Sequence, residues 1–164
     1  MLLDDLADLA STYGHGTVGT DVFKATLPST PDAAVAIIHY GGLEPVRRMA
    51  ASPGLPIAEV QRVQVLVRDS RYDGAAKTAQ DIFHSLDGLA RTVNGVAYRW
   101  ISAIQSPFFL EYDGSNRAVI ACNYEVVRDF IRKVEGVAVG QATLHSIHPG
   151  QQVEKAVHDA QLEL

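Results

Sequence analysis

The 164 residues suit one domain, and a hydrophobic content of 47% is enough to fill one core. A formal net charge of −5 argues against a stand-alone nucleic-acid binder, which carries a basic patch, but suits a wall that repels a polyanion and lets it slide. One cysteine, Cys122, excludes an internal disulfide, and no Cys/His spacing resembles a zinc site.

Met1-Leu2-Leu3-Asp4-Asp5-Leu6 is acidic and has no long apolar run, so it reads as neither a signal peptide nor a membrane span. A reducing cytoplasm is the expected folding compartment. Met1 to Thr12 has Leu2, Leu3, Leu6, Leu9 and Ala10 at helical spacing, with Asp4, Asp5 and Asp8 elsewhere. Gly14, Gly16 and Gly19 break that pattern. Val22 to Leu27 reads as a strand, Pro28 to Asp32 as a turn, and Val35 to Tyr40 as a second strand ended by Gly41-Gly42. Leu43 to Glu59 holds Pro45, Pro53, Gly54 and Pro56 without periodicity. It is expected to be a long loop lying against another subunit.

The clearest block runs from Val60 to Ala79. Val63, Val65 and Val67 point one way along a strand, and Gln64, Leu66 and Arg68 the other. Ser70 and Asp73 have capping-box spacing. The helix that follows lines up Tyr72, Ala75, Ala76, Ala79, Ile82, Phe83 and Leu86, with Gly88 as its stop. Asn94-Gly95 predicts a tight turn. Tyr98 to Ile104 is a fourth strand ended by Ser106-Pro107, and Asp113-Gly114 marks another turn. Ala118 to Val127 is a long strand with Ala118, Ile120, Cys122, Tyr124 and Val126 on one face. Further on, 134–139 reads as a short strand and 151–162 as a terminal helix. The fold class is α+β: a small mixed or antiparallel sheet of about four to five strands with about two to three helices packed on it.

Candidate chemistry is thin. His145 and His148 are three apart, but Pro149 disfavours helix at His148, and no third ligand follows. His39, at a strand end, suits a hydrogen-bonded core or interface histidine better than a catalytic base. Cys122, mid-strand, suits a small buried hydrophobe better than a nucleophile. Gly14, Gly16 and Gly19 follow a helix and precede a strand, the reverse of a dinucleotide fingerprint. Asp4, Asp5 and Asp8 suit a solvated helix start. No catalytic residue, cofactor or metal site is assigned. Arg47-Arg48 is either a solvated pair or a bridge to a neighbouring subunit. Arg68 can pair with an acidic group across a strand or an interface.

In order, the chain carries Pro28-x-x-Pro31-Asp32 and a strand ending Tyr40-Gly41-Gly42. Val63-Gln64-Val65-x-Val67-Arg68-x-x-x-Tyr72-x-x-Ala75 follows, then Ser106-Pro107, Asp113-Gly114-x-Asn116-Arg117 and Asn123-Tyr124-Glu125-Val126. With these blocks it resembles the phage minor capsid or tail terminator family of long-tailed phages, over about residues 6 to 128. The resemblance implies a ring, expected to be a homohexamer, on the head-proximal end of the tail tube. It implies three further contacts: the tail tube protein, the head-completion or connector (stopper) protein, and DNA passing through the lumen unbound. It places the protein in the virion at the tail-head junction, after assembly in the host bacterial cytoplasm. It implies no catalytic site and no cofactor. Residues 1–128 are expected to form the terminator-like domain, and 129–164 an extension that contacts a neighbour or the connector.

Closed rings arise from heterologous contacts, and open strand edges are natural glue. The expected contact regions are the 43–59 loop, with Pro45, Arg47, Arg48 and Pro53, and the turn from Phe108 to Arg117. That turn holds Phe108, Phe109, Tyr112, Asp113 and Arg117, and Arg68 is added as a pairing residue. Phe108 and Phe109 are equally readable as local core. Rival readings are another neck component (tail completion or head closure) and a small ligand-binding α+β domain or enzyme. Related proteins also serve tail-like particles such as gene transfer agents.

Overall fold

Alternating valines in one segment and alternating apolar residues in another produce the fold's central feature, a ladder of two long antiparallel strands. A computed structural model describes residues 1–47 and 56–129. In it β4 (Pro56–Asp69) and β8 (Ala118–Asp129) pair without a break, from Ala58 opposite Asp129 to Asp69 opposite Ala118. The remaining strands are β1 (Val22–Lys24), β2 (Ala34–Gly42), β3 (Val46–Arg47), β5 (Leu89–Val93), β6 (Val96–Ala103) and β7 (Phe108–Tyr112). The main path is β1-β2-β4-β8-β6-β5. β3 continues the β2 flank by pairing with the start of β4, and β7 continues the β6 flank by pairing with the start of β8. The β1–β2 pair is parallel, whereas β2–β4, β4–β8 and β8–β6 are antiparallel.

Two helices, α1 (Leu2–Thr12) and α2 (Tyr72–Leu86), pack on one face of this sheet. That face carries Val63, Val65 and Val67 opposite Tyr124, Cys122 and Ile120, all buried. Burying one such aliphatic side chain contributes about 1.5–3 kcal/mol. Ala75 and Ala79, both buried, let α2 sit close to the strands. Gly88, at φ +76°, turns the chain out of the helix and donates its N–H to the Ile101 carbonyl. Asn94 and Gly95 both take positive φ and close the β5–β6 hairpin. The other face bears half-buried polar pairs. Gln64 donates to Asn123 at 3.0 Å, and Arg62 lies 3.6 Å from Glu125.

The α+β class is as expected, but the described residues form an eight-stranded sheet rather than one of about four to five strands. β1 stops at Lys24 because Ala25 adopts φ +65°. β2 runs on through Gly41 and Gly42, absorbing an irregularity between His39 and Gly41. The expected 43–59 loop is partly strand: Val46 and Arg47 pair with Ala58 and Pro56. Phe108 to Tyr112 is strand β7 rather than part of a turn. No capping box forms at Ser70. Its hydroxyl bonds Asp69 instead, and the Asp69 carboxylate takes the Arg71 N–H at 2.9 Å. Residues 48–55 and the expected elements at 134–139 and 151–162 lie outside the described residues.

Candidate functional site

Arg68 leaves β4 on the face opposite the three valines and is still only 3% exposed. Two turns cover it. Its guanidinium donates to the backbone carbonyls of Pro31 and Asp32, and lies 3.8 Å from the Asp113 carboxylate. Arg117, also buried, donates to the Ser29 carbonyl at 2.8 Å and to Asp32 Oδ1 at 2.9 Å. Asp113 binds the Arg117 side chain and takes the Ser115 and Arg117 amides on its other oxygen. Two arginines therefore fasten the 28–32 turn to the 113–117 turn over the end of the β4–β8 ladder. The hydrogen bond from Arg117, with the two backbone amides, holds the Asp113 carboxyl down to about 2. Burial, and next the neighbouring Arg117 charge, lower the Arg68 guanidinium from its usual value.

Beside this clamp lies an aromatic edge. β7 carries Phe109, Leu110 and Tyr112, each more than 40% exposed. Tyr72, in the first turn of α2, tilts against Phe109 with ring centroids 5.9 Å apart, and Phe109 against Tyr112 at 5.1 Å. Phe109 and Tyr112 stand opposite Ile120 and Ala118, and so lie on the helix-bearing face. At the far corner of the sheet, Tyr40, Leu43 and Val46 form a second exposed apolar group, near half-buried Pro45. A groove of ≈420 Å³ opens beside that corner, lined by Met1, Leu2, Leu3, His39 and Gln61 among others.

Several ionisable groups elsewhere among the described residues make structural contacts. Asp5 is buried and accepts from Tyr98 Oη at 2.6 Å and from Asn94 at 2.8 Å, tying α1 to the β5–β6 hairpin. Burial, reinforced by Asp5, pushes the Tyr98 phenol up. Burial likewise raises the Cys122 thiol, whose Sγ faces the Gln105 carbonyl at 3.3 Å. A low-pKa nucleophile needs the opposite environment. His15 touches Ser85 Oγ at 2.9 Å, but that hydroxyl is spent on the Asp81 carbonyl within α2. His39 bonds Gln61. Among the described residues no group of three or more His, Cys, Asp or Glu could hold a metal ion, and no helix is long and apolar enough to cross a membrane.

Of the residues singled out in the sequence, Arg68, Asp113 and Arg117 meet in one network, and Phe109 and Tyr112 share the adjacent edge. Phe108 is half-buried beside them. Pro45 and Arg47 lie at the opposite corner. Arg48 and Pro53 fall outside the described residues. Sequence reasoning missed Asp32 as an ion-pair partner, Tyr72 as an exposed member of the aromatic group, and the Asp5–Tyr98 bond. Asp32 left a signal in its place in the Pro-x-x-Pro-Asp block that Arg117 turns out to hold, and Tyr72 in its place in the Arg68-x-x-x-Tyr72 block.

A family model described as bacteriophage tail terminator protein matches residues 11–130, a span that contains the clamp and the aromatic edge. A chain of a solved gene transfer agent virion is 13% identical, with TM-score 0.48, covering 76% of this chain and 86% of that one. Another solved chain is 15% identical, with TM-score 0.49, covering 80% of this chain and 93% of that one. A stretch of 42 residues is 50% identical to the signal recognition particle protein of Bacillus subtilis (strain 168). It spans 26% of this chain and 9% of that protein. The family is structural rather than enzymatic. By the match over most of its length, the chain belongs to the bacteriophage tail terminator protein family.

Proposed function

We propose that copies of this chain close into a ring, expected to be hexameric, on the head-proximal end of a phage-type tail tube. One face of the ring buries the tube's polymerisation surface, and the other offers a docking surface to the head connector. The observation that carries this reading is the family match over residues 11–130. Two features of the molecule support it. Exposed apolar groups lie on opposite flanks of one sheet, as head-to-tail closure requires. The acidic balance suits a lumen through which DNA passes unbound. The protein would then sit at the tail-head junction of the virion, with the tube protein and a stopper protein as neighbours.

Native mass measurement and negative-stain imaging test it, with the full chain alone and mixed with tail tubes from the same source. Closed rings on one tube end, with tube growth halted, are expected. Binding to the connector but never to tubes would favour a head-closure role. A chain that stays monomeric under both conditions would remove the ring.

A further inference from the structure

The ring reading leaves open which surfaces join, and two features on opposite flanks match each other. On one flank, β7 pairs with β8 on one side only, and its outer edge has no partner among the described residues. It carries no lysine and no internal proline; its guards are Glu111 alone and an irregularity between Phe109 and Glu111. On the other flank, β1 covers β2 only at Val35, Ala36 and Ile37. From Ile38 to Gly42 the outer edge of β2 is open among the described residues.

The geometry points to edge-to-edge strand addition between copies, with β7 of one copy pairing with the open half of β2 in the next, so that Phe109 and Tyr112 seat in the apolar groove beside α1. This rests on the ring reading. Strand polarity agrees with it. β7 and β4 both run antiparallel to β8, and β2 runs antiparallel to β4, so β7 and β2 of similarly oriented copies meet antiparallel. Sheet faces agree as well. Phe109 and Tyr112 lie on the helix-bearing face, and so does the groove, because His39 in its wall stands opposite Val63. The groove flanks the open stretch of β2, and its walls at Leu2 and Leu3 offer aliphatic surface to an aromatic ring. Phe109 lies level with Val35, through Ile120 and Val67, whereas the groove lies level with His39. The copies are therefore staggered by about 13 Å along the strands, a tilt of the kind that closed sheets adopt.

Oxidative cross-linking of full-length Ile38→Cys and Leu110→Cys variants, with and without tail tubes, tests the contact, because with Phe109 level with His39 an antiparallel pair brings residue 110 beside residue 38; buried Cys122 stays in place. A disulfide-linked pair that forms only when the two variants are mixed is expected. A Leu110→Lys variant should weaken assembly about tenfold, with its melting temperature unchanged, because residue 110 is exposed. Cross-links within the Leu110→Cys variant by itself would indicate a two-fold contact and overturn the proposal. Rings that form normally with Leu110→Lys, or that give no Ile38–Leu110 cross-link, would overturn it and leave the ring standing. Failure of the wild-type chain to assemble in either condition would overturn both.

Discussion

Asp113 and Arg117 hold each other through two guanidinium nitrogens, Nε at 2.8 Å and Nη2 at 2.7 Å, on the same carboxylate oxygen. The other oxygen caps the turn between them, taking the Ser115 and Arg117 amides at 2.9 and 3.0 Å. One carboxylate thus shapes a turn and also orients the arginine that reaches Ser29 and Asp32. That arrangement keeps β7 against β8 and fixes where the aromatic edge points.

Acid should loosen this corner. The Asp113 carboxyl is held at about 2, below its usual 3.8, mainly by its Arg117 hydrogen bond. Its folded-state pKa is depressed, so its contribution is fully present above pH 4 and fades as the pH falls towards 2. Urea midpoints measured from pH 5 to pH 2 should therefore decline in the wild-type chain. In Asp113→Asn they should begin lower and decline less. Parallel curves would show that this carboxylate has no linkage to folding.

Replacing Arg68 should cost more than its position on a polar sheet face suggests. Its side chain is buried and supplies hydrogen bonds to the Pro31 and Asp32 carbonyls. Arg68→Ala leaves those acceptors short of a donor in a covered site, a loss of about 2–4 kcal/mol. Arg68→Lys should recover less than half of it, because one ammonium cannot reproduce a planar fork to two carbonyls. Chemical denaturation of both variants decides this, and full rescue by lysine would reduce the role of Arg68 to bare charge.

What could be read from the chain followed from local physics. The Val63, Val65, Val67 alternation fixes a strand face, Asn94-Gly95 permits the hairpin's positive φ angles, and the apolar stripe of α2 fixes its buried side. What could not be read depended on distant partners. Phe108 to Tyr112 has no alternation and is flanked by turn residues. It is a strand because β6 covers β8 only from Tyr124 onward and leaves the beginning of β8 open for pairing. Alternation put Arg68 on the far face correctly, but its burial comes from turns near residues 31 and 113. Nothing around Ala25 announces its left-handed backbone.

The buried Asp5 carboxylate gives a further stability test, beneath the α1 side of the groove. Tyr98 donates to it at 2.6 Å with both residues about 1% exposed. Tyr98→Phe keeps the ring and removes that donor, so about 1–3 kcal/mol should be lost. Oligomer size should be unaffected, since both side chains are buried and the residues that line the groove are unchanged. A loss below about 0.5 kcal/mol would mean that Asn94 on one oxygen and the Arg128 guanidinium near the other satisfy Asp5 without the phenol.

Gly74 and Asp69 offer the sharpest test of local reasoning, because two rules oppose each other there. In the first turn of α2, alanine should outdo glycine by up to about 1 kcal/mol on helix propensity. A Cβ at Gly74, however, would sit 2.7 Å from Asp69 Oδ2 and 2.8 Å from its Cγ. That carboxylate cannot swing away freely, because its other oxygen takes the Arg71 amide and the Ser70 hydroxyl. Gly74→Ala should therefore destabilise, by about 1 kcal/mol once the clash exceeds the propensity gain. In an Asp69→Ala background the obstruction is gone, and the same change should stabilise. The double-mutant cycle should then show a coupling of about 1–2 kcal/mol. Additive effects would mean that Asp69 moves aside without losing the Arg71 amide, and that helix propensity alone governs position 74.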